Sequence, residues 1–145
     1  MFVNGFKLPS PPLARLEPGV YCLGATMLEQ VYSPVRGPWT LEYEKEFQAA
    51  RSVEAALIDF TTDPSTRAAL ERDAPKEKWE AAAKRYDWLR LARLCHYLRA
   101  RGSDGNVGYS LFIYRLTAEE IRAATGGSLR DWQALIERTV TARDR

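Results

Sequence analysis

Trp79, Tyr86, Arg90, Arg93, Tyr97 and Arg101, with Ala83 between the first two, recur at steps of three and four residues. That spacing puts them on one face of a helix. Rings alternating with guanidinium groups can stack nucleic-acid bases while neutralising phosphates, or can grip an acidic protein surface. The same residue types also suit an intramolecular role, with aromatic rings and arginine stems lying over a neighbouring helix. Residues 75–101 hold eight Lys/Arg against three Asp/Glu, and residues 41–73 hold four against eight. The opposite charge favours the intramolecular role, with Arg90 and Arg93 facing acids of residues 42–73 and Trp79 partly exposed. A net charge of +2 gives no nucleic-acid footprint.

Other spacings with a chemical meaning are weaker. Residues 116–138 are patterned like a helix-turn-helix, with Ile121, Gly126, Ser128, Trp132 and Leu135 at the apolar, turn, cap and core positions. Arg122 stands where that motif packs a small residue, and Gly127 replaces an apolar turn residue, so DNA reading is disfavoured. Gly102, Gly105 and Gly108 follow a helix, precede a strand and carry no lysine, the reverse of a phosphate loop. Ser110 lacks a nucleophile elbow. His96, the sole histidine, has no acid placed by sequence to orient it, and Glu119 and Glu120 complement a helix dipole. Cys22 and Cys95 read as two buried thiols acting as small hydrophobes. These residues designate no catalytic, cofactor or metal site, and no catalytic activity is expected of this chain alone.

The elements that must position these residues centre on Asn106–Leu116. Val107, Tyr109, Leu111 and Ile113 fall on one face at period two, and Phe112, Tyr114 and Leu116 on the other. Apolar residues on both faces predict a strand covered on both sides. Val20–Leu28 is the second strand, with Gly24 as a bulge or close approach. Residues 1–18 contain four prolines and read as an extended arm closed by the Pro18-Gly19 turn. Thr40 caps a helix to about Phe60, and Asp63-Pro64 opens a short one to Asp73. Pro75 starts the longest helix, which Gly102 stops near Arg101. Thr117 with Glu120 is a capping box for a helix ending at Gly126-Gly127, and Ser128 caps the last. At 145 residues, 46% hydrophobic and 28% charged, the chain fits one globular domain spanning 1–145. The expected fold class is α+β: a small sheet around two neighbouring strands, about 20–28 and 107–116, covered by four to five helices. Phe47, Leu57, Leu91, Leu94, Leu98, Leu111, Phe112 and Ile113 should form the core.

Two segments, PGVYCLGATMLEQVY (Pro18–Tyr32) and VGYSLFIYRL (Val107–Leu116), resemble the C-terminal soluble domain of bacterial protein-mannosyltransferase-type membrane glycosyltransferases. The shared places are Pro18, Gly19, Tyr21, Ala25, Thr26, Val31 and Tyr32, then Gly108, Tyr109, Ser110, Ile113 and Tyr114. The long helical insert between them departs from that family. The resemblance implies a non-catalytic accessory soluble domain that packs on or gates a membrane glycosyltransferase core, or has separated from one. The family's sugar transfer resides in its membrane part, so no catalytic residue carries over. It also implies a periplasmic location, in which a Cys22–Cys95 disulfide gains plausibility. Read without the resemblance, residues 1–12 lack the apolar core of a secretory signal and no run is long enough to span a membrane, which gives a cytoplasmic expectation for a free-standing product. The alternative function is a free-standing soluble binding protein that uses the Trp79–Arg101 face to hold an acidic protein or, less favoured, a nucleic acid.

Overall fold

The computed structural model describes Phe2–Val3, Phe6–Lys7 and residues 13–143. It has an α+β fold in the order β1 (Phe2–Val3), β2 (Phe6–Lys7), β3 (Gly19–Gly24), α1 (Ala25–Leu28), α2 (Leu41–Arg51), α3 (Glu54–Thr62), α4 (Pro64–Asp73), α5 (Lys76–Arg101), β4 (Gly105–Val107), β5 (Leu111–Leu116), α6 (Ala118–Thr125) and α7 (Leu129–Arg143). The chain divides into two compact units, Met1–Arg15 with Ala49–Asp87 and Leu16–Gln48 with Trp88–Arg145. Eight residues of the proline-rich arm, among them Pro9, Pro11 and Pro12, lie outside the described residues; within the arm, β1 and β2 pair antiparallel.

The second unit holds the main sheet, ordered β3–β5–β4 and antiparallel throughout. β3 and β5 are neighbours as expected, in the register Gly19↔Leu116 to Gly24↔Leu111. Both strands are shorter than their sequence patterns. Gly24 ends β3: the next N–H, of Ala25, donates to Ser110 O at 2.9 Å, and the chain then winds into the single turn α1. Asn106–Leu116 is not one strand but a hairpin. Gly108 and Tyr109 take φ of 60° and 59°, and Ser110 N–H returns to Val107 O at 3.4 Å. Two consecutive positive φ values are the signature of the tight turn whose twist suits a hairpin. Val107 pairs with Leu111, so both stay on one face although the chain has reversed. The period-two pattern runs unbroken across the turn, which is why it mimics a single strand.

The described residues cover one face of this sheet. Tyr114, Leu116 and Leu23 are buried, with Tyr21 and Phe112 packed at the margin, against Leu94, Cys95, Leu98, Ile121 and Ala124 of α5 and α6. The other face carries Val20, Cys22, Val107, Leu111, Ile113 and Arg115; Ile113 is half-buried and the rest are exposed. The expectation of cover on both sides is therefore corrected. So is the core: Leu94, Leu98, Phe47 and Leu57 are buried, but Phe112, Ile113 and Leu91 are half-buried and Leu111 is exposed. Both thiols are free, and Cys22 is exposed instead of buried. Cys22 alternates with the inward Leu23, so it points away from the core that holds Cys95.

Local signals fixed the helix ends. Thr40 Oγ1 accepts Tyr43 N–H, and Asp63 accepts Ser65 N–H just ahead of Pro64. Gly102 stops α5 at φ 85°, a conformation open to glycine. Thr117 and Glu120 form the reciprocal capping box, and Ser128 with Asp131 caps α7. The helix expected from Thr40 to Phe60 is split at Ser52–Val53. Ser52 Oγ donates to Ala49 O at 2.6 Å, and Val53 N–H takes Ala50 O, one residue short of the α-helical partner. A serine side chain competing for a helix carbonyl is a recognised cause of such breaks.

In the first unit, α3, α4 and the start of α5 pack around Leu57 and Phe60. Trp79 stacks on Phe60 with centroids 5.9 Å apart, and Arg67 covers the same ring while its Nε donates to Phe60 O.

The one-sided sheet orders two truncations. Tyr114→Ala should cost about 3–5 kcal/mol, the usual penalty for deleting a buried aromatic. Leu111→Ala should cost under about 1 kcal/mol, as at other solvent-facing positions. Urea midpoints at constant slope would measure both, and a reversed order would mean that the helices cover the opposite face.

Candidate functional site: a buried arginine node and an open sheet face

The helix face singled out by its rings and guanidiniums is divided between the units. In the first, Trp79 is half-buried and donates from Nε1 to Leu70 O at 2.9 Å. Tyr86 is buried, and its hydroxyl donates to Glu54 Oε1 at 2.9 Å. In the second, Arg90 and Tyr97 are half-buried, Tyr97 resting against the sheet's core. Arg101 is half-buried and Arg93 is fully buried. The structure therefore does not present the six as one exposed patch: Tyr86 and Arg93 have no surface for a partner.

Arg93 is the most confined of them. Its Nε and Nη2 donate to the two oxygens of Glu44, at 3.0 and 2.9 Å, and both side chains are fully buried. The second guanidinium edge donates from Nη1 to Ala124 O and Gly126 O, at 3.1 and 2.7 Å. Those are carbonyls at the end of α6, which lack helical partners and carry the negative end of its dipole. The guanidinium carbon also lies over two rings, 4.2 Å from the Phe47 centroid and 3.8 Å from that of Trp132. Glu44 is satisfied in turn by Trp39 Nε1 at 2.9 Å and Gln48 Nε2 at 2.7 Å. The acid expected to face Arg93 from residues 42–73 is thus Glu44. Gly126 and Gly127 acquire a role here. A Cβ at Gly126 would stand 2.7 Å from Arg122 O, and Gly127 needs φ 83° with the Trp132 ring 3.3 Å from its missing Cβ. The Gly-Gly turn lets Trp132 and Arg93 close the end of α6.

Arg101 anchors a second, exposed cluster. It donates from Nε to Glu120 at 2.8 Å, from Nη2 to Asp104 at 3.1 Å and to Arg115 O at 3.1 Å. Asp104 also accepts Arg115 N–H at 2.6 Å. The Arg101 hydrogen bond, then the Thr117 N–H, hold Glu120 below its ordinary value of 4.5; the Arg115 N–H, then Arg101, hold Asp104 below 3.8. Burial pushes the Cys95 thiol up to about 11, which makes it inert. His96 is buried, tilted against Trp132, and lies at the wall of a small cleft of about 250 Å³ with Pro38, Trp39, Thr40, Leu41, Ile136 and Thr139. That wall is mostly apolar, with Thr40, Thr139 and His96 as its polar residues, and includes no carboxylate or thiol. Among the described residues no cluster of His, Cys, Asp or Glu has the arrangement of a metal site.

The surface left open is the outer face of the sheet. Val20 is 66% exposed, Val107 57% and Leu111 37%, and Tyr109 stands at the hairpin tip 87% exposed. The register makes a continuous row of Val107, Leu111 and Gly24, beside another of Ile113 and Cys22. A left-handed φ on a bulky residue is uncommon and mildly strained, so Tyr109 is displayed there at some cost in stability. Sequence reading missed this face because apolar residues occur on both sides of β5. The available signal was Arg115, in period with Leu111 and Ile113, since a charge on that face points to water.

Two outcomes follow from the clusters. Arg93→Met leaves Glu44 buried without its cation and should cost about 3–5 kcal/mol, whereas Arg93→Met with Glu44→Leu should recover a large part of that loss. Equal destabilisation of single and double variants in denaturant titrations would assign the loss to packing alone. The Glu120 and Asp104 carboxyls bind protons less readily in the folded state than in the unfolded one. Their stabilisation is therefore complete above the ordinary carboxylate values and lost as pH falls through the depressed ones. Melting temperature should drop on acidification below 4.5, and Arg101→Met should flatten that drop, chiefly through Glu120. An unchanged slope would show that Arg101 does not set it.

No family model, curated protein or solved structure matches this chain.

Proposed function

We propose that this chain is a non-catalytic accessory domain that docks an apolar protein surface through the outer face of the β3–β5–β4 sheet. The observation that carries this reading is the exposure of Val20, Val107, Tyr109 and Leu111 on a sheet whose other face is closed by helices. Contiguous apolar surface of this kind, with an aromatic at its border, is typical of interaction sites. The buried pair inside the second unit offers less, because Arg93 spends its hydrogen bonds on Glu44 and the end of α6, and Glu44 accepts from Arg93, Trp39 and Gln48. The segments that resemble the soluble domain of membrane glycosyltransferases, Pro18–Tyr32 and Val107–Leu116, contribute most of this face. The partner proposed is accordingly the core of such an enzyme, whether in the same polypeptide or a separate one. Among the described residues no helix is long and apolar enough to cross a membrane, so in this reading the membrane-embedded part belongs to the partner.

A photo-crosslinking amino acid at Val107, compared in cells with one at the exposed Arg130, tests this. The expected outcome is an adduct with an integral-membrane glycosyltransferase from Val107 alone. Identical adducts from both positions, or none specific to Val107, would remove the basis for the proposal.

A further inference from the structure

The same sheet has a second unfilled valence, at its edge. The strand order leaves β3 and β4 as the two edges. β4 is three residues long, and shortness is one way in which natural edges are blunted. β3 is six residues, GVYCLG, with no charge, no proline and no bulge. The direction of its backbone groups can be derived. Ala25 N–H points to β5, at Ser110 O, while Arg115 N–H points away from β3, at Asp104. Direction alternates along an antiparallel ladder. Gly19, Tyr21 and Leu23 therefore bond to β5, and the N–H and C=O groups of Val20, Cys22 and Gly24 point outward. Among the described residues nothing else in the sheet pairs with these groups, and the Gly24 C=O, as the N-cap of α1, also faces the first turn of that helix.

We infer that β3 pairs antiparallel with β3 of a second copy of this chain, Cys22 opposite Cys22. An antiparallel two-fold pairing must set a residue opposite itself, because opposed side chains share a face. The strand's length allows two such registers. With Tyr21 opposite itself, Gly24 meets Pro18, which has no N–H to give. With Cys22 opposite itself, Val20 meets Gly24 of the second copy, and every outward N–H and C=O of Val20, Cys22 and Gly24 finds a partner. The side chains agree. On the inner face Tyr21 meets Leu23, and on the outer face Val20 meets a glycine. Arg115, opposite Val20 in the register, lies at opposite ends of the pair, so the two copies of this charge do not meet. The result is a six-stranded sheet whose open apolar face is doubled. The contact is small, so the association belongs at the weak end of specific interfaces.

Sedimentation analysis of the reduced chain over a range of concentrations tests the inference. Wild type should shift from monomer to dimer in roughly the micromolar range expected of small interfaces, and a short bismaleimide should link the chains through Cys22. Cys22→Lys and Cys22→Glu each place like charges directly opposite one another and should be monomers, with melting temperatures close to that of the wild-type monomer, since position 22 faces solvent. Mixed in equal amounts, the two variants should form a heterodimer. A wild type that stays monomeric at every concentration, a dimer that survives either substitution, or a mixture that does not associate would overturn the inference. Because pairing uses the backbone groups of β3 whereas docking uses side chains that extend across the outer face to Val107 on β4, Val107 crosslinking and Cys22 dimerisation can fail independently.

Discussion

Arg93 and Glu44 are the constraint on which the second unit depends. An ion pair removed from water loses several kcal/mol of hydration per ion, and only saturated hydrogen bonding offsets that loss. Here the donors and acceptors come from places far apart in the chain: Trp39 before α2, Glu44 and Gln48 on α2, Arg93 on α5, and the carbonyls of Ala124 and Gly126 at the end of α6. No subset of these satisfies both ions. The node therefore favours one joint arrangement of α2, α5 and the α6–α7 turn over looser alternatives. Phe47 and Trp132, both stacked within reach of the guanidinium, add an attraction that depends on the same alignment.

The sheet follows from what α5 and α6 can cover. Leu94, Cys95 and Leu98 on α5, with Ile121 and Ala124 on α6, close over Leu23, Tyr114 and Leu116. Two helices cover one face of a three-stranded sheet, and the described residues provide no second layer. What remains is an apolar face at whose border a tyrosine is held in a left-handed conformation. Arg101 joins the end of α5 to both margins of this arrangement, through Asp104 before β4 and Glu120 in the capping box of α6. These bonds lie near solvent and add little stability individually. Their effect is to fix the angle at which α5 gives way to the hairpin.

The sequence by itself determined what depends on neighbours a few residues away. Thr40, Asp63, Thr117 with Glu120, and Gly102 mark helix ends because capping and left-handed termination are satisfied within one turn. The strand character of 19–24 and 111–116 was legible from apolar runs of β-formers, and a cation of α5 meeting an acid of residues 42–73 was legible from their opposite charge. Only the tertiary structure chose Glu44 from the eight acids of residues 41–73, since burying this carboxylate requires donors brought from two other segments, Trp39 before α2 and Arg93 on α5, beside Gln48 of its own helix. Only it showed that Asn106–Leu116 folds back on itself, because Val107 and Leu111 keep their period across a turn. And only it decided that Cys22, Val107 and Leu111 face water while Tyr114 and Leu116 do not. Alternation along a strand tells which residues share a face; which face is covered depends on how many helices pack against it.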